Sequence, residues 1–494
     1  MRRAFLFFLV LFSIAPASAE LLAPPYLQNR TQGSVDVYWV ETSPQPRQVR
    51  WLRQRAESTV SSAEELSFRA REIEEFPQLA NSPKRYLHHV TLRGLEGHRT
   101  VRYTVHFPQA PLAGIVSALP TSKERVRLIA LADSETEPES TGKPAKWGTP
   151  EEPKRKYLVD QTTGMRENLK VIAQREPDAL LIAGDLVESG GEQRDWDEFW
   201  RQFGELAGTI PLLPSPGNHE YYAGPRHGQY GTEASLNSIS KYRTYFHPLG
   251  PEKKPLYYRK DLGLVTVISL DSVDGLPHRS ARDCNHYLQA AGNFAPDHNP
   301  GSPQWEWLED QLQECQKQDR FVVVMFHHCP YSSGVHGFPA GSRENEDPQS
   351  GQPMRDLAPI LLKYGVEVLL SGHDEMYERS EVSGVEVLSD GRQREHTLQV
   401  YDVGIAGDGL RGPRRNNEFA RFLAYRDAPE AWKDGRLISG GRHYGHLEID
   451  VTPGPGGWRA KLTPVYILPT KTGGAWSFQR RHYKDTVVLE STAK

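Results

Sequence analysis

Cysteine is scarce. The chain holds three in 494 residues, Cys284, Cys315 and Cys329, too few and too scattered for a disulfide framework or a thiolate metal site, which leaves room for one bridge in an oxidising compartment. Cys315 follows Trp305, Leu308 and Leu312 at helical spacing and reads as a core residue. Long apolar runs are lacking after residue 14, so no second segment of membrane-spanning length exists. Excess charge is lacking too: 59 basic residues face 63 acidic ones, a formal charge of −4, with no long basic run to recruit nucleic acid or an anionic membrane. No internal repeat is visible. The hydrophobic share of 37% and charged share of 25% are those of an ordinary globular protein, and the length divides into two or three domains.

What is present begins with Arg2 and Arg3, the apolar stretch Ala4 to Ile14, Pro16 and then Ala17-Ser18-Ala19. This order predicts a signal peptide over 1–19, cleaved after Ala19, and a secreted or periplasmic protein with no membrane span after cleavage. A lipid anchor needs a cysteine at the cleavage point, and the first is Cys284.

From Leu21 to about Leu119 the pattern is all-β. Ser34 to Val40, Val49 to Leu52 and Val101 to Val105 alternate with period two between turns rich in Pro, Gly and Ser, which suits a small sandwich serving to pack or present. After Thr121 the period changes. Strand Val126 to Leu131, a polar Pro-rich insertion from Glu135 to Lys156 read as a surface loop, helical spacing at Met165, Leu169 and Ile172, and strand Asp178 to Asp185 form a βαβ pattern. The pattern recurs with helix Gln304 to Gln316 before strand Phe321 to Phe326, and with helix Leu357 to Tyr364 before Val366 to Leu370. Leu256-Tyr257-Tyr258 and Leu264 to Leu270 suggest an added strand pair. The expectation is an α/β domain of layered sheets over 121–470, with 471–494 as a C-terminal tail.

The chemistry-bearing residues end these strands. The apolar run Asp178 to Leu186 is broken by Gly184-Asp185, which places Asp185 at the carboxyl end of a buried parallel strand, where ligands sit in open α/β sheets. Val126 to Asp133, Phe321 to His328 and Val366 to Asp374 share that design, and Pro216-Gly217-Asn218-His219-Glu220 supplies a fifth loop. Alone, Asp133, Asp185, Asn218, His327 or His373 reads as a turn or cap residue. As an ordered set of carboxylate, amide and imidazole donors they suit two divalent or mixed-valent metal ions such as Fe, Mn or Zn. A carboxylate between two cations can bridge them, and two metals roughly 3.5–4 Å apart clamp the attacking and leaving oxygens of an in-line displacement at phosphorus.

Asp133, Gly184-Asp185, Gly217-Asn218-His219-Glu220, His327 and Gly372-His373 resemble, in order and context, the calcineurin-like metallophosphoesterases. Tyr331-Ser332, Tyr377-Glu378-Arg379 and the opening Pro24-Pro25-Tyr26-Leu27-Gln28 resemble the purple acid phosphatase branch, where a fibronectin type III-like domain precedes the catalytic one. The resemblance implies a fibronectin type III-like β-sandwich over 20–120 and an α/β/β/α sandwich behind it. It also implies that Asp185 bridges two metals, that Asn218, His327 and His373 complete the second site, and that Asp133 belongs to the first. His327, rather than His328, keeps the family spacing to Tyr331-Ser332.

Three positions depart from the pattern. Glu188 stands where the purple enzymes carry a tyrosine, so no charge-transfer colour is expected. Glu375 replaces the last histidine of Gly-His-x-His, and Glu135 replaces a histidine found in many relatives. If Glu135, Glu188 and Glu375 point inward, the first site becomes all-oxygen and shifts towards Mn, Mg or Ca.

His219, beside Asn218, is the leading candidate for proton transfer. His336 resembles a substrate-contacting histidine of the branch. Gly404, Gly407, Gly409 and Gly412 form a loop that borders the site and is not a P-loop, because no Lys-Ser or Lys-Thr opens a helix after it. His278, His286 and His298 read as surface residues of a polar insertion, and His443 and His446 as structural. Asn29-Arg30-Thr31 matches a glycosylation sequon. The expected function is hydrolysis of a small phosphorylated substrate, a phosphomonoester, with a phosphodiesterase or nucleotidase as second reading and a catalytically silent metal-binding protein as the reading from another class. Oligomeric state stays open.

Overall fold

The computed structural model describes residues 19–147, 155–224, 232–246, 256–288, 295–407, 410–414, 418–434, 436–440 and 442–491. The expected signal peptide, apart from Ala19, lies outside them. No helix of the described residues is long and apolar enough to cross a membrane.

Two four-stranded antiparallel sheets make the N-terminal domain. Leu21–Gln28, Ser34–Glu41, Tyr86–Arg93 and Thr59–Ser62 form one, and Gln54–Glu57, Gln48–Trp51, Thr100–His106 and Pro111–Ser117 the other. The period-two residues close on each other, with Val35, Val37 and Trp39 packed among Val49, Trp51, Val101 and Val105. The domain is seated on the rest of the chain by polar contacts under apolar cover. Tyr103 donates its hydroxyl to Gly208 O at 3.0 Å, Tyr26 to Tyr245 O at 2.9 Å, and Arg85 grips both oxygens of Asp197 at 2.6 and 2.8 Å. The Tyr26 ring stacks on Trp200.

Two seven-stranded sheets form the second domain. The first runs Leu212–Ser215, Ala179–Ala183, Val126–Leu131, Gly445–Gly454, Gly457–Thr472, Ala475–His482, with Val487–Glu490 also on Gly457–Thr472. The second runs Tyr258–Leu262, Val265–Ser269, Phe321–His328, Val368–Gly372, Gln393–Val403, Tyr377–Val387, Ala420–Leu423. Alternate residues serve two cores, which explains the unbroken apolar runs. Leu128, Ala130 and Leu181 face Val323, Met325 and Leu370 between the sheets. Ile129, Leu180 and Ile182 face helices Gln161–Arg175 and Gln193–Ala207 through Met165, Ile172, Trp196 and Phe199. On the far side Val322 and Val324 meet Leu308, Leu312 and Cys315 of helix Pro303–Lys317. The layers are therefore α/β/β/α, and the parallel neighbours, three in the first sheet and four in the second, deliver their carboxyl ends to one edge.

Three expectations change. The insertion after Glu135 is not merely a loop, because Pro144–Trp147 pairs with Arg155–Asp160, which is joined by Arg436–Ser439; residues 148–154 lie outside the described residues. The supposed tail is sheet: Ala475–His482 lies antiparallel along Gly457–Thr472. That strand is exposed along nearly its whole length, as an edge strand commonly is, and only Trp476 and Phe478 interrupt its polar run, too little to mark it by period. His298 is buried rather than superficial.

Arg480 of this last strand reaches Glu448 at 2.8 Å, where Arg175 at 3.0 Å and His446 at 3.6 Å also converge. Burial opposes the charge of Glu448, but the contacts from His446 and Arg480 outweigh it and hold the carboxyl down at about 2. A pKa depressed on folding stabilises the protein above the unfolded value and is lost as pH falls through the folded one. Glu448→Gln is expected to melt lower at neutral pH and to lose less melting temperature than the native chain between pH 4.5 and about 2, as followed by circular dichroism.

Candidate metal centre

Asp133 and Asp185 leave adjacent parallel strands, and the loops after them stay in register. Glu135 N donates to Asp185 O at 3.0 Å, Thr136 N to Leu186 O at 3.1 Å, and Thr136 bridges Val187. This register brings Glu135 and Glu188 to the same side as the aspartates. Asp133, Glu135, Asp185 and His373 all hold positive φ, at 57°, 35°, 52° and 78°. Non-glycine residues are costly there, and such strain clusters where function fixes it. Gly217 and Gly372 permit the crowding, because a Cβ on either would collide with the Asp185 or Asp133 carboxylate. A Cβ on Gly404 would stand 2.6 Å from Asp133 Oδ2, so the Gly-rich loop does border the site.

Two donor groups meet at Asp185. Ligating atoms of Asp133, Glu135 and Asp185 lie within 4.8 Å of one another, and so do those of Asp185, His327 and His373. A third set, Glu135, Glu188 and His219, joins the first on its outer side. His327 Nδ1 donates to Ala183 O at 3.0 Å, which leaves Nε2 a bare acceptor facing Asp185 Oδ2 at 2.8 Å. Acceptor against acceptor is relieved by a proton or a metal cation. Asn218 Oδ1, His327 Nε2 and His373 Nε2 are all buried without a hydrogen bond, while Asn218 Nδ2 is fixed on the Tyr222 hydroxyl at 2.6 Å. These donors fit a cation. His328 turns Nδ1 to Ser272 Oγ at 2.9 Å and stands outside the Asp185 group, in keeping with the choice of His327.

Electrostatics agrees. Burial, then the Asp185 and Glu375 carboxylates, push Asp133 well above the usual carboxylate range, and burial with the neighbouring histidines pushes His373 well below the usual imidazole range. Asp185 itself is held below the usual carboxylate range against its burial, by His219 and His327. A carboxyl that resists ionisation, Asp133, beside an imidazole that resists protonation, His373, is what an inserted cation reconciles.

Glu375 behaves otherwise. It is buried but stands outside these groups, paired with Arg411 Nε at 2.5 Å. Arg411, far along the chain, is thus its ion-pair partner, while its carboxylate still raises Asp133. His219 donates its backbone N–H to Asp185 Oδ1 at 2.9 Å and Nδ1–H to Glu188 O at 2.7 Å. Its Nε2 then faces Asp185 and Glu135 at 3.7 and 3.8 Å. His336 stacks on His373 at 3.8 Å and sets Nδ1 against His373 O and Asp374 Oδ1 at 3.0 and 3.1 Å. Burial disfavours its charge, but Asp374 and Asp347 overcome this and raise it to about 10.

Sequence reasoning quoted Glu220 only as part of a motif. The fold makes it the brace of the site, accepting from Gly217 N at 2.7 Å, Leu186 N at 2.8 Å and Asp185 N at 3.0 Å. A glutamate three positions after a tight glycine was the available signal.

Residues 159–376 match the family model for calcineurin-like phosphoesterases, a span that holds Asp185, Asn218, His327 and His373 and begins after Asp133. Purple acid phosphatase 21 of Arabidopsis thaliana is 27% identical over 222 residues, 45% of this chain and 43% of that protein. Acid phosphatase type 7 of Homo sapiens is 24% identical over 284 residues, 56% of each. The chain spans about half the length of the curated relatives it matches. A purple acid phosphatase from yellow lupin (Lupinus luteus) seeds shares the fold, with a TM-score of 0.56 at 16% identity over 92% of this chain and 73% of that one.

Residues that orient metal ligands are worth roughly 10–100-fold in metal affinity. Glu220→Gln places an amide N–H₂ against three backbone donors, and a loss of that size is expected on titrating the metal-free protein by calorimetry; unchanged affinity would remove the bracing role.

Proposed function

We propose that this chain, which carries a calcineurin-like phosphoesterase domain over residues 159–376 and is related to purple acid phosphatases, is an exported metal-dependent phosphatase acting on phosphomonoesters. The supporting observation is the single carboxylate, Asp185, shared between two donor groups. Asp133, Glu135 and Asp185, with Glu188 alongside, would hold one cation through oxygen, which favours Mn, Mg or Ca; Asp185, Asn218, His327 and His373 would hold the other, which suits Fe, Zn or Mn. Two cations so held supply a water of low pKa and positive charge for the leaving oxygen.

The chain's own groups do the rest. Glu188 O keeps a proton on His219 Nδ1, so His219 Nε2 is the atom that carries a second proton to the departing alkoxide. His336, held cationic by Asp374 and Asp347, offers charge to a phosphate oxygen from the His373 side. The sandwich over 20–120 is a packing module for the catalytic domain that begins at 121. Export rests on the charged and apolar leader before Ala19.

The Glu375–Arg411 pair leaves the first donor group shorter by one ligand than expected, and this favours the silent metal-binding protein as second reading. A panel of aryl monoester, diester and nucleotide substrates separates the readings. The native chain is expected to favour the monoester and Asp185→Asn to fall to background. Hydrolysis by neither would leave the silent reading, and a preference for the other substrates would select a phosphodiesterase or nucleotidase. His219→Gln should lower kcat by roughly 10²–10⁴-fold with metal content unchanged.

A further inference from the structure

After strand Val265–Ser269 the chain enters a segment that the sequence presented as a polar surface insertion. Its described parts, 271–288 and 295–302, fold instead around carboxylates. Asp271, Asp274 and Asp283 are buried, and a bridge links Asp274 to Asp297. Asp283 organises the turn: its Oδ1 accepts from Gly275 N at 3.2 Å and Asn285 N at 3.1 Å, and its Oδ2 from Arg279 N at 2.6 Å.

Asp274 is satisfied on one side only, by the backbone of Gly275. It is 2% exposed, and its Oδ1 makes no hydrogen bond. His278 Nδ1 lies 3.2 Å from that oxygen and makes none either. Beside them His298, 4% exposed, has an Nε2 without a hydrogen bond, close enough to the turn that a Cβ on Gly275 would stand 2.9 Å from it. A buried polar atom without a hydrogen bond is costly, and three of them at and beside this turn point to a missing ligand.

We propose that Asp274, His278 and Asp283, whose ligating atoms lie within 4.8 Å of one another, form a further cation site separate from the Asp185 centre, taking one divalent transition ion such as zinc or manganese. Two carboxylates balance the charge of such an ion, and the mixture of oxygen with one imidazole suits it. The spacing Asp274 to His278 puts both on one turn, and Asp283 reaches back from the end of the loop. The ion would fasten the segment at its base. There Asp271 accepts from the Tyr221 hydroxyl at 2.6 Å, and Tyr221 lies on the short helix His219–Tyr221 beside the phosphatase centre. The site is therefore structural, a clamp on the wall of the active site and not a participant in hydrolysis.

The test is metal content. The native chain, Asp274→Asn, His278→Gln and Asp185→Asn are equilibrated with buffered zinc, and zinc per chain is counted by plasma mass spectrometry alongside melting temperature. Asp274→Asn and His278→Gln are each expected to lose one equivalent and the part of the zinc-induced rise in melting temperature that it gives, while retaining the zinc that Asp185→Asn loses. His278, with 15% of its side chain exposed, is the safer substitution and carries the test if Asp274→Asn does not fold. Unchanged zinc content in His278→Gln overturns the site. Loss in His278→Gln together with no loss in Asp185→Asn sustains it while removing the dinuclear centre, so the two proposals fail separately.

Discussion

The repulsion among Asp133, Glu135 and Asp185 is the constraint on which the centre depends. Their ligating atoms are brought within 4.8 Å at the buried ends of neighbouring parallel strands, where solvent is not available to screen them. Left alone, such a cluster would hold a proton or force its loops apart. The positive φ angles at all three residues show that the backbone is bent against its own preference to keep them together. An arrangement that is costly in both electrostatics and conformation persists when the surrounding structure over-determines it and a bound charge rewards it.

The over-determination has identifiable sources. Two sheets share a dry core, so the strand ends cannot drift relative to each other. Glu220 ties the Asp185 loop to the Gly217 loop through three backbone N–H groups, and burial together with the nearby Asp185 raises its own pKa well above the usual range. Outside this, the aromatic cluster of Trp196, Phe199 and Trp200 receives Tyr26 of the N-terminal sandwich. The sandwich thus stiffens the helical layer behind the Asp185 strand.

The strand tips were legible because burial on both faces makes a parallel strand an unbroken apolar word, and a polar residue at its end stands out. Asp185, His327 and His373 converge as that pattern implied, and Glu135 joins Asp133. What stayed hidden depends on partners distant in sequence. Nothing local to Glu375 announces Arg411, and the pairing turns a candidate ligand into half of an ion pair. The last strands are short or exposed: Ala475–His482 is almost wholly exposed, and Val487–Glu490 offers only Val487 and Leu489 to the core, too brief an alternation to stand out. His298 sits in a segment that looks soluble because its carboxylates and imidazoles are read as solvated; burial of such groups is paid for only by contacts that a linear pattern does not contain.

The two donor groups differ in kind, and this asymmetry orders the rest of the centre. The group at Asp133 is built from oxygen alone, with the imidazole of His219 at its edge and the proton of that imidazole fixed on Nδ1 by Glu188 O. The group at His373 is rich in imidazole, and its neighbour His336 is kept cationic by Asp374. On the proposed reading, an anion bridging the two groups would meet the His219 imidazole on one flank and, at neutral pH, the imidazolium of His336 on the other. Because Asp185 belongs to both groups, neither flank can shift without moving the other, and the loop braced by Glu220 sets the distance between them.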